Sequence, residues 1–422
     1  MKPVKLLIIG AGSRGGVYAT YALAHPEQAK VIGLAEPREF FRNQMAAQHG
    51  VASENVLTDW QQLAERPKFA DAVVIATPDV LHREPALAFA ARGYDILLEK
   101  PMAPDAESCR VITEAANANQ IILMVSHVLR YTAYTRQLKQ LLDSGLIGEI
   151  VSVQHLEPVG YWHYAHSYVR GNWRNEALSS FMLLAKSCHD LDWLRYIIGQ
   201  PCLEVSSFGS LKHFRREAKP PQAGTAQRCL ECNYEPECPY SAPRFYLDLL
   251  NRGQTGWPLN VVTTEFTRQG VINALQEGPY GRCVYESDND VVDHQVVNLL
   301  YEKGITASFT MIGTSQYRDR ETIIFGTRGE IRGNGKKIIH FDFLSGQTSA
   351  ISVSVPDVPP IMAGHGGGDY NLMQQFIEAV AKGDRSQVLS GPNEALETHL
   401  TVFAAEQARR EKRVVQVNSF RG

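Results

Sequence analysis

Val4-Lys-Leu-Leu-Ile-Ile-Gly10-Ala-Gly12-Ser13-Arg14-Gly15, followed by Val31-Ile-Gly-Leu-Ala-Glu36, is the stretch that decides the fold. The apolar run reads as a buried parallel strand, and a Gly-x-Gly-x-x-Gly turn follows it directly. Gly10 permits the tight turn, Gly12 lets the backbone approach a pyrophosphate, and Gly15 lets the next helix pack close to the strand. That helix, roughly Gly16 to His25, aims its N-terminal amides and positive dipole end at the pyrophosphate. Ser13 and Arg14 share the turn and join the three glycines as candidate cofactor contacts. The second apolar strand ends at Glu36, twenty-one residues past Gly15, where an acid grips a ribose diol. One such glycine triplet alone is weak evidence. Strand, helix, second strand and terminal acid in register favour dinucleotide binding over a structural glycine turn. Glu36 would repel a 2′-phosphate, which favours NAD over NADP. Arg38 and Arg42 follow closely and offer that phosphate an alternative seat.

The 422 residues are enough for two domains with sizeable cores. Hydrophobic content of 44% and charged content of 21% are ordinary for a globular protein, and the net charge of −3 leaves no basic footprint for nucleic acid. No apolar stretch reaches membrane-spanning length, and the chain enters a strand at once rather than a signal peptide, so a cytoplasmic enzyme is expected. Seven cysteines, an odd number without a secretory signal, argue against a disulfide framework.

The alternating pattern continues through strands at Phe69–Ala76, Gly93–Glu99 and Ile121–Val125, with helices to Ala91 and over Ala106–Ala118. Strands and helices at this spacing predict a doubly wound parallel sheet over residues 1–127. Thr77, Pro78, His82, Glu99 and Lys100 fall at or just beyond the strands' carboxyl ends, where such sheets bind ligands. Residues 128–422 have a different texture. A helix over Thr132–Leu142 precedes alternating segments at Glu149–Gln154, Leu203–Phe208, Val291–Leu300, Ile305–Met311, Thr322–Phe325 and Lys337–Phe343. These predict an α+β domain on an open, largely antiparallel sheet. Residues 212–260 form a Pro- and Cys-rich insertion with a helix over Tyr246–Arg252, and helices over Tyr370–Val380 and Glu394–Lys412 close the chain.

Glu99-Lys100-Pro101, after Thr77-Pro78-Asp-Val-Leu-His82 on this frame, resembles the glucose–fructose oxidoreductase / inositol dehydrogenase (Gfo/Idh/MocA) family. Gly145-Leu-Ile-Gly148-Glu, His189-Asp-Leu-Asp192 and Gly326-Thr-Arg-Gly329-Glu330 extend the resemblance over essentially the whole chain. It implies an NAD(P)-dependent sugar or polyol oxidoreductase, a homodimer or homotetramer associating through the second sheet. It also implies that Lys100 sits beside the nicotinamide and hydrogen-bonds the reacting hydroxyl. A cation there stabilises developing alkoxide character; the bland alternative is a surface pair with Glu99. Pro101 would fix that turn, and whether its peptide is cis is unreadable from sequence.

His189 is then the general acid/base, because histidine titrates near neutrality. The family often carries an aspartate four residues earlier, and here that position is Ala185. Lys186 either takes over as the proton-transfer partner or recognises an anionic or carbonyl group; otherwise it is a solvated helix charge. Upstream, Trp162, His163, His166, Arg170, Asn172 and Trp173 crowd one polar-aromatic stretch, in which rings stack on sugar faces and polar groups bond hydroxyls. Cys229-Leu-Glu-Cys232 with Cys238 has a zinc-like beginning, for which His213 or Cys283 would be the fourth ligand of a structural site; free cysteines or a redox pair compete. Asp288 to His294 reads as sheet-face or substrate contact rather than a metal cluster. His365-Gly-Gly-Gly-Asp369 reads as a flexible loop with Asp369 as helix N-cap. Two reactions fit: net hydride transfer with a sugar, sugar acid or glycoside, or glycoside cleavage through transient C3 oxidation, elimination and cofactor recycling. A sensor that binds NAD without turnover would lack the proton-transfer residues.

Overall fold

Apolar β-branched runs that stay dry on both faces build the first sheet of the computed structural model, which describes residues 2–354 and 358–421. Strands β1 (Val4–Ile9), β2 (Ala29–Ala35), β3 (Val56–Leu57), β4 (Ala72–Ile75), β5 (Asp95–Leu98) and β6 (Leu123–Val125) pair in parallel in the order β3-β2-β1-β4-β5-β6. The order reverses between β1 and β4, which opens a crevice beyond their carboxyl ends. The turn after β1 excludes side chains. Gly10 has φ +90°, and a Cβ there would lie 2.6 Å from the Ala76 carbonyl oxygen; a Cβ on Gly15 would lie 1.9 Å from that of Gly10. The helix starts at Ser13, three residues earlier than expected, and runs to Ala24.

The second sheet has nine strands: β7 (Ile150–Pro158), β8 (Cys202–Ser210), β9 (His294–Tyr301), β10 (Thr306–Ile312), β11 (Glu321–Gly326), β12 (Gly329–Gly333), β13 (Lys337–Asp342), β14 (Thr348–Ser352) and β15 (Val415–Gln416). Their order is β14-β13-β12-β11-β7-β10-β9-β8-β15, antiparallel except where β7 meets β10. The expected fold class therefore holds. The alternation is plain in β10, where Ala307, Phe309 and Met311 are buried between partly open neighbours. Strands β12, β14 and β15 were not anticipated. β14 is almost wholly exposed and carries no apolar alternation, and β15 is two residues long.

Helices tie the sheets together. Helix Cys188–Ile198 lies against β7 and β10, while helix Pro392–Glu411 packs on both β8 and helix Ala106–Ala118. Helix Gly368–Lys382 packs against Ser13–Ala24. One hydrophobic cluster consequently runs from Leu7 and Ile75 through Leu184 to Phe309 and Phe403. The insertion has a small core of its own around Ala242, Tyr246, Val271 and Leu275, and includes an unanticipated helix, Arg268–Glu277. Among the described residues no helix is long and apolar enough to cross a membrane.

Candidate active site

Glu36 lies buried just past the carboxyl end of β2. Its carboxylate accepts the Ala11 N–H at 2.8 Å, the Arg38 N–H at 3.0 Å, and the Arg38 guanidinium at 2.7 and 3.0 Å. Burial opposes its ionisation, but the Arg38 and Ala11 hydrogen bonds prevail and hold it below the usual carboxylate range. Arg38 lies over Gly12, whose added Cβ would meet its guanidinium at 2.9 Å, and its cation sits 4.5 Å from the Phe41 ring centroid. Arg42 is spent on the Glu36 and Pro37 carbonyls. Ser13 is exposed on the first turn of the helix.

Three residues expected at the cofactor are engaged with protein. Arg14 donates through Nε to Glu99 and through Nη2 to Asp369 at 2.6 Å, so it pins the glycine turn to helix Gly368–Lys382. His82 is fully buried, with its ring nitrogens 2.9 Å from the Pro101 and Thr77 carbonyl oxygens. It fastens the turn after β4, with Thr77 and Pro78, to the turn after β5. Glu99 is a buried strut that accepts from Arg14, Tyr18, Ser126 and the Lys100 N–H. Burial opposes its ionisation, and the Arg14 and Lys100 cations overcome it.

The strut aims Lys100 across the crevice. The Lys100–Pro101 peptide is cis, and Lys100 Nζ donates to the Ala185 carbonyl at 2.6 Å. The position lacking the family's frequent aspartate therefore meets the lysine through its backbone. Four residues on, His189 is buried, and its Nδ1 has no hydrogen-bond partner among the described residues. Neither nearby aspartate occupies it. Asp192 holds Arg130 through two bonds of 2.7 Å, and Asp190 holds Arg320 and His155. Burial, then the Lys100 cation, then His365 and His127 push the His189 imidazole well below its ordinary pKa. The imidazole is therefore held in its neutral form.

Lys186 Nζ stands 3.3 Å from the buried Glu157 carboxylate, which also takes Arg320 at 3.0 Å. The chain Lys186–Glu157–Arg320–Asp190–His155–Thr322 leads from the crevice into the sheet. Burial lowers the Lys186 pKa, and Glu157 only partly restores it. His163 faces the same charges, and burial followed by Lys186 pushes its pKa well down. Trp162 packs among Tyr317, Phe245 and Trp257 at ring distances of 4.9, 5.1 and 5.8 Å. Trp173 donates to the buried Asp79 at 3.3 Å. His166 and Arg170 lie elsewhere: His166 bonds Tyr246 and stacks on Tyr280, and Arg170 donates to the Arg282 and Tyr240 carbonyls. Asn172 is exposed.

Two readings need correction. Among the described residues no group of three or more His, Cys, Asp or Glu side chains is placed to hold a metal ion, so zinc on Cys229, Cys232, Cys238 and His213 finds no support. His213 packs instead on Phe214, Tyr240 and Tyr285. Asp369 is not an N-cap: Gly367 holds that position, and Asp369 binds Arg14 and His365. His365 itself was missed, as were His127, Arg320 and Asp79. His365 has φ +52° and brings its ring to 5.9 Å from that of His189. His127 lies 6.0 Å from His189 on the other side. Its place just past β6, at a carboxyl end, was the available signal.

Family models described as an oxidoreductase family's NAD-binding Rossmann fold and C-terminal alpha/beta domain match residues 4–127 and 139–417. The chain belongs to the Gfo/Idh/MocA oxidoreductase family. It is 31% identical over 202 residues to an inositol 2-dehydrogenase of Streptomyces avermitilis, covering 47% of this chain and 54% of that one. It is 26% identical over 217 residues to a 2,7-anhydro-N-acetylneuraminate hydratase of Mediterraneibacter gnavus, covering 50% and 53%. These matches span about half the length of those Gfo/Idh/MocA relatives. The fold is similar to that of levoglucosan dehydrogenase in complex with NADH and L-sorbose, at TM-score 0.73 and 19% identity over 99% of each chain.

Proposed function

We propose that this family member is an NAD-dependent oxidoreductase that oxidises or reduces a hydroxyl-bearing carbon of a sugar, sugar acid or glycoside. The observation that carries the proposal is the meeting of Lys100 from β5 with the Ala185–His189 segment of the second domain, in a crevice beyond the first sheet's carboxyl ends. NAD, when bound, supplies the hydride acceptor or donor. Gly12 and the amides at the start of helix Ser13–Ala24 fit a pyrophosphate, and Glu36 fits a ribose diol.

The residues of the chain handle the proton. Neutral His189 takes it from the substrate hydroxyl, while the Lys100 ammonium stabilises the oxygen as it gains alkoxide character. In reduction the same proton returns from imidazolium to oxygen. Trp162, His163 and Trp173 form the aromatic wall against which the sugar stacks. Arg38 belongs to Glu36 and not to a phosphate, which supports NAD over NADP. The test is a panel of polyols, free sugars, sugar acids and nitrophenyl glycosides with NAD, following reduced nicotinamide and nitrophenolate together. Reduced nicotinamide in stoichiometric yield supports the proposal. Its absence with every compound, while NAD binds, overturns it.

A second reading, redox-recycling glycoside cleavage, draws on Lys186. Its lowered pKa and its contact with Glu157 suit a base that removes a proton made acidic by a neighbouring ketone. The hydratase relative is consistent with such chemistry. Nitrophenolate released over many turnovers without net reduced nicotinamide would select this reading.

A further inference from the structure

Aromatic rings from three separate segments gather around Trp162, and two of them stay open to solvent. Trp162 lies on the short helix Tyr161–Tyr164 after β7, Tyr317 on the connection from β10 to β11, and Phe245 and Trp257 on the insertion. Burial is the usual fate of such a cluster, yet Trp257 is 41% and Tyr317 53% exposed. Large rings exposed together, rather than scattered singly, mark a surface that meets a ligand. The rings are also held in place. A Cβ on Gly160, whose φ is +91°, would lie 2.6 Å from the Tyr317 Cβ, so the turn presses directly on that tyrosine. The Gly160 N–H donates to Ser315 Oγ at 3.1 Å and the Tyr161 N–H to the Ser315 carbonyl at 2.8 Å, two residues before Tyr317. On the other side Pro258 and Leu259 are buried directly after Trp257, Leu259 in the insertion's own core. Rings fixed before binding lose little freedom when a ligand covers them.

Two contacts make this cluster continuous with the charged groups of the crevice. His163 meets Trp257 and Tyr317 nearly edge-on, at 5.1 and 5.9 Å with interplanar angles of 79° and 67°. Its other neighbour is Lys186, whose charge adds to burial in lowering the His163 pKa. Tyr317 borders the Lys186–Glu157–Arg320 chain, and burial followed by the Glu157 charge raises its pKa. A pyranose has only two faces to stack, and the reacting sugar already has Trp162, His163 and Trp173 for its wall. Trp257 and Tyr317 are therefore aromatic surface that one sugar ring leaves uncovered. We propose that Trp257 and Tyr317, beside Trp162, form a second subsite that takes a sugar ring linked glycosidically to the reacting one. The inference rests on the reading of the crevice as a sugar site and narrows its substrate to a disaccharide or longer glycoside. The rim suits such a ring, with its C–H faces and hydroxyl edge, better than an aliphatic chain: next to Tyr317, Arg318 pairs with Glu321 at 2.8 Å and Asp319 with Lys336 at 2.6 Å.

The test is calorimetric binding to the full chain loaded with NADH, which offers no hydride acceptor and so leaves the sugar unoxidised. Each monosaccharide is compared with disaccharides that carry the same sugar in either anomeric linkage, and with its nitrophenyl glycoside. At least one disaccharide should bind about tenfold or more tightly than its monosaccharide. Trp257→Ala and Tyr317→Ala should each erase most of that excess, while Trp257→Phe keeps a stacking face and should retain it. Both side chains are exposed, and an unchanged NADH affinity checks that the variants are folded. Equal binding within every pair in the wild type, or a Trp257→Ala loss shared equally by monosaccharide and disaccharide, overturns the subsite and leaves the crevice reading standing. A gain for nitrophenyl glycosides with none for any disaccharide overturns the second sugar in favour of an aromatic aglycone. Binding of no sugar of either length overturns the crevice reading, and the subsite with it.

Discussion

On the proposed mechanism Lys100 and His189 carry the chemistry at the scale of single residues, and each makes a separable prediction. Lys100→Ala should lower turnover by about 10²–10⁴-fold and leave NAD affinity nearly unchanged, checked by steady-state kinetics beside a fluorescence titration of NADH. His189→Ala should fall by a similar factor. Because burial keeps the His189 pKa below its ordinary value, the imidazole is already neutral at pH 7. Oxidation rates should therefore fall only as pH drops below the ordinary histidine range, measured as kcat/KM against pH. Glu36 offers a third test. Glu36→Ala removes the carboxylate that occupies Arg38, so kcat/KM with NAD should fall and the NADP-to-NAD ratio should rise. Legibility was uneven at this scale. Glu36, Lys100 and His189 stood out because strand ends and a family motif mark them. Asp79, Arg320 and His365 did not, because hydrogen bonds, ion pairs and ring contacts between residues far apart in the chain leave no local spacing to read.

Individual elements explain how these residues are held. The glycine turn, helix Ser13–Ala24 and helix Gly368–Lys382 meet at Arg14, which binds Glu99 and Asp369. Asp369→Ala leaves Arg14 half-paired and frees His365, and should destabilise the fold by about 3 kcal/mol, seen as a lowered Tm. Three buried histidines act in the same direction. Burial holds His127 and His166 at about 3 and His399 at about 4. The unfolded chain binds these protons near pH 6.5 and the folded chain does not, so stability rises with pH through this window. It should be constant above about pH 7 and fall as pH drops from about 6.5 toward 4, checked by denaturant unfolding across that range. The long elements were legible from apolar periodicity, and helix Ala106–Ala118 matches its expected bounds. β14 and helix Arg268–Glu277 were not. The first buries almost nothing, and the second buries its face against an insertion that has no counterpart pattern in sequence.

The whole molecule is a crevice between two sheets, closed by helices that return from the second domain to the first. The outer face of the second sheet carries Phe208 (63% exposed), Ile339 (40%) and Phe341 (38%), more apolar surface than a lone sheet face needs to show. We expect the chain to form a dimer or tetramer through this face, and Phe208→Glu with Ile339→Glu should shift it to monomer in light scattering. The two-domain plan was readable because each sheet type has its own sequence period. How the domains close on one another was not, because the contact from Lys100 to Ala185 joins residues that no pattern links. The most direct test of that meeting compares the wild type with Lys100→Ala in a single turnover, using bound NAD and the best substrate of the panel. The account predicts one equivalent of reduced nicotinamide in the wild type and almost none in the variant, at equal NAD occupancy. Reduced nicotinamide forming in the variant at the wild-type rate would contradict it.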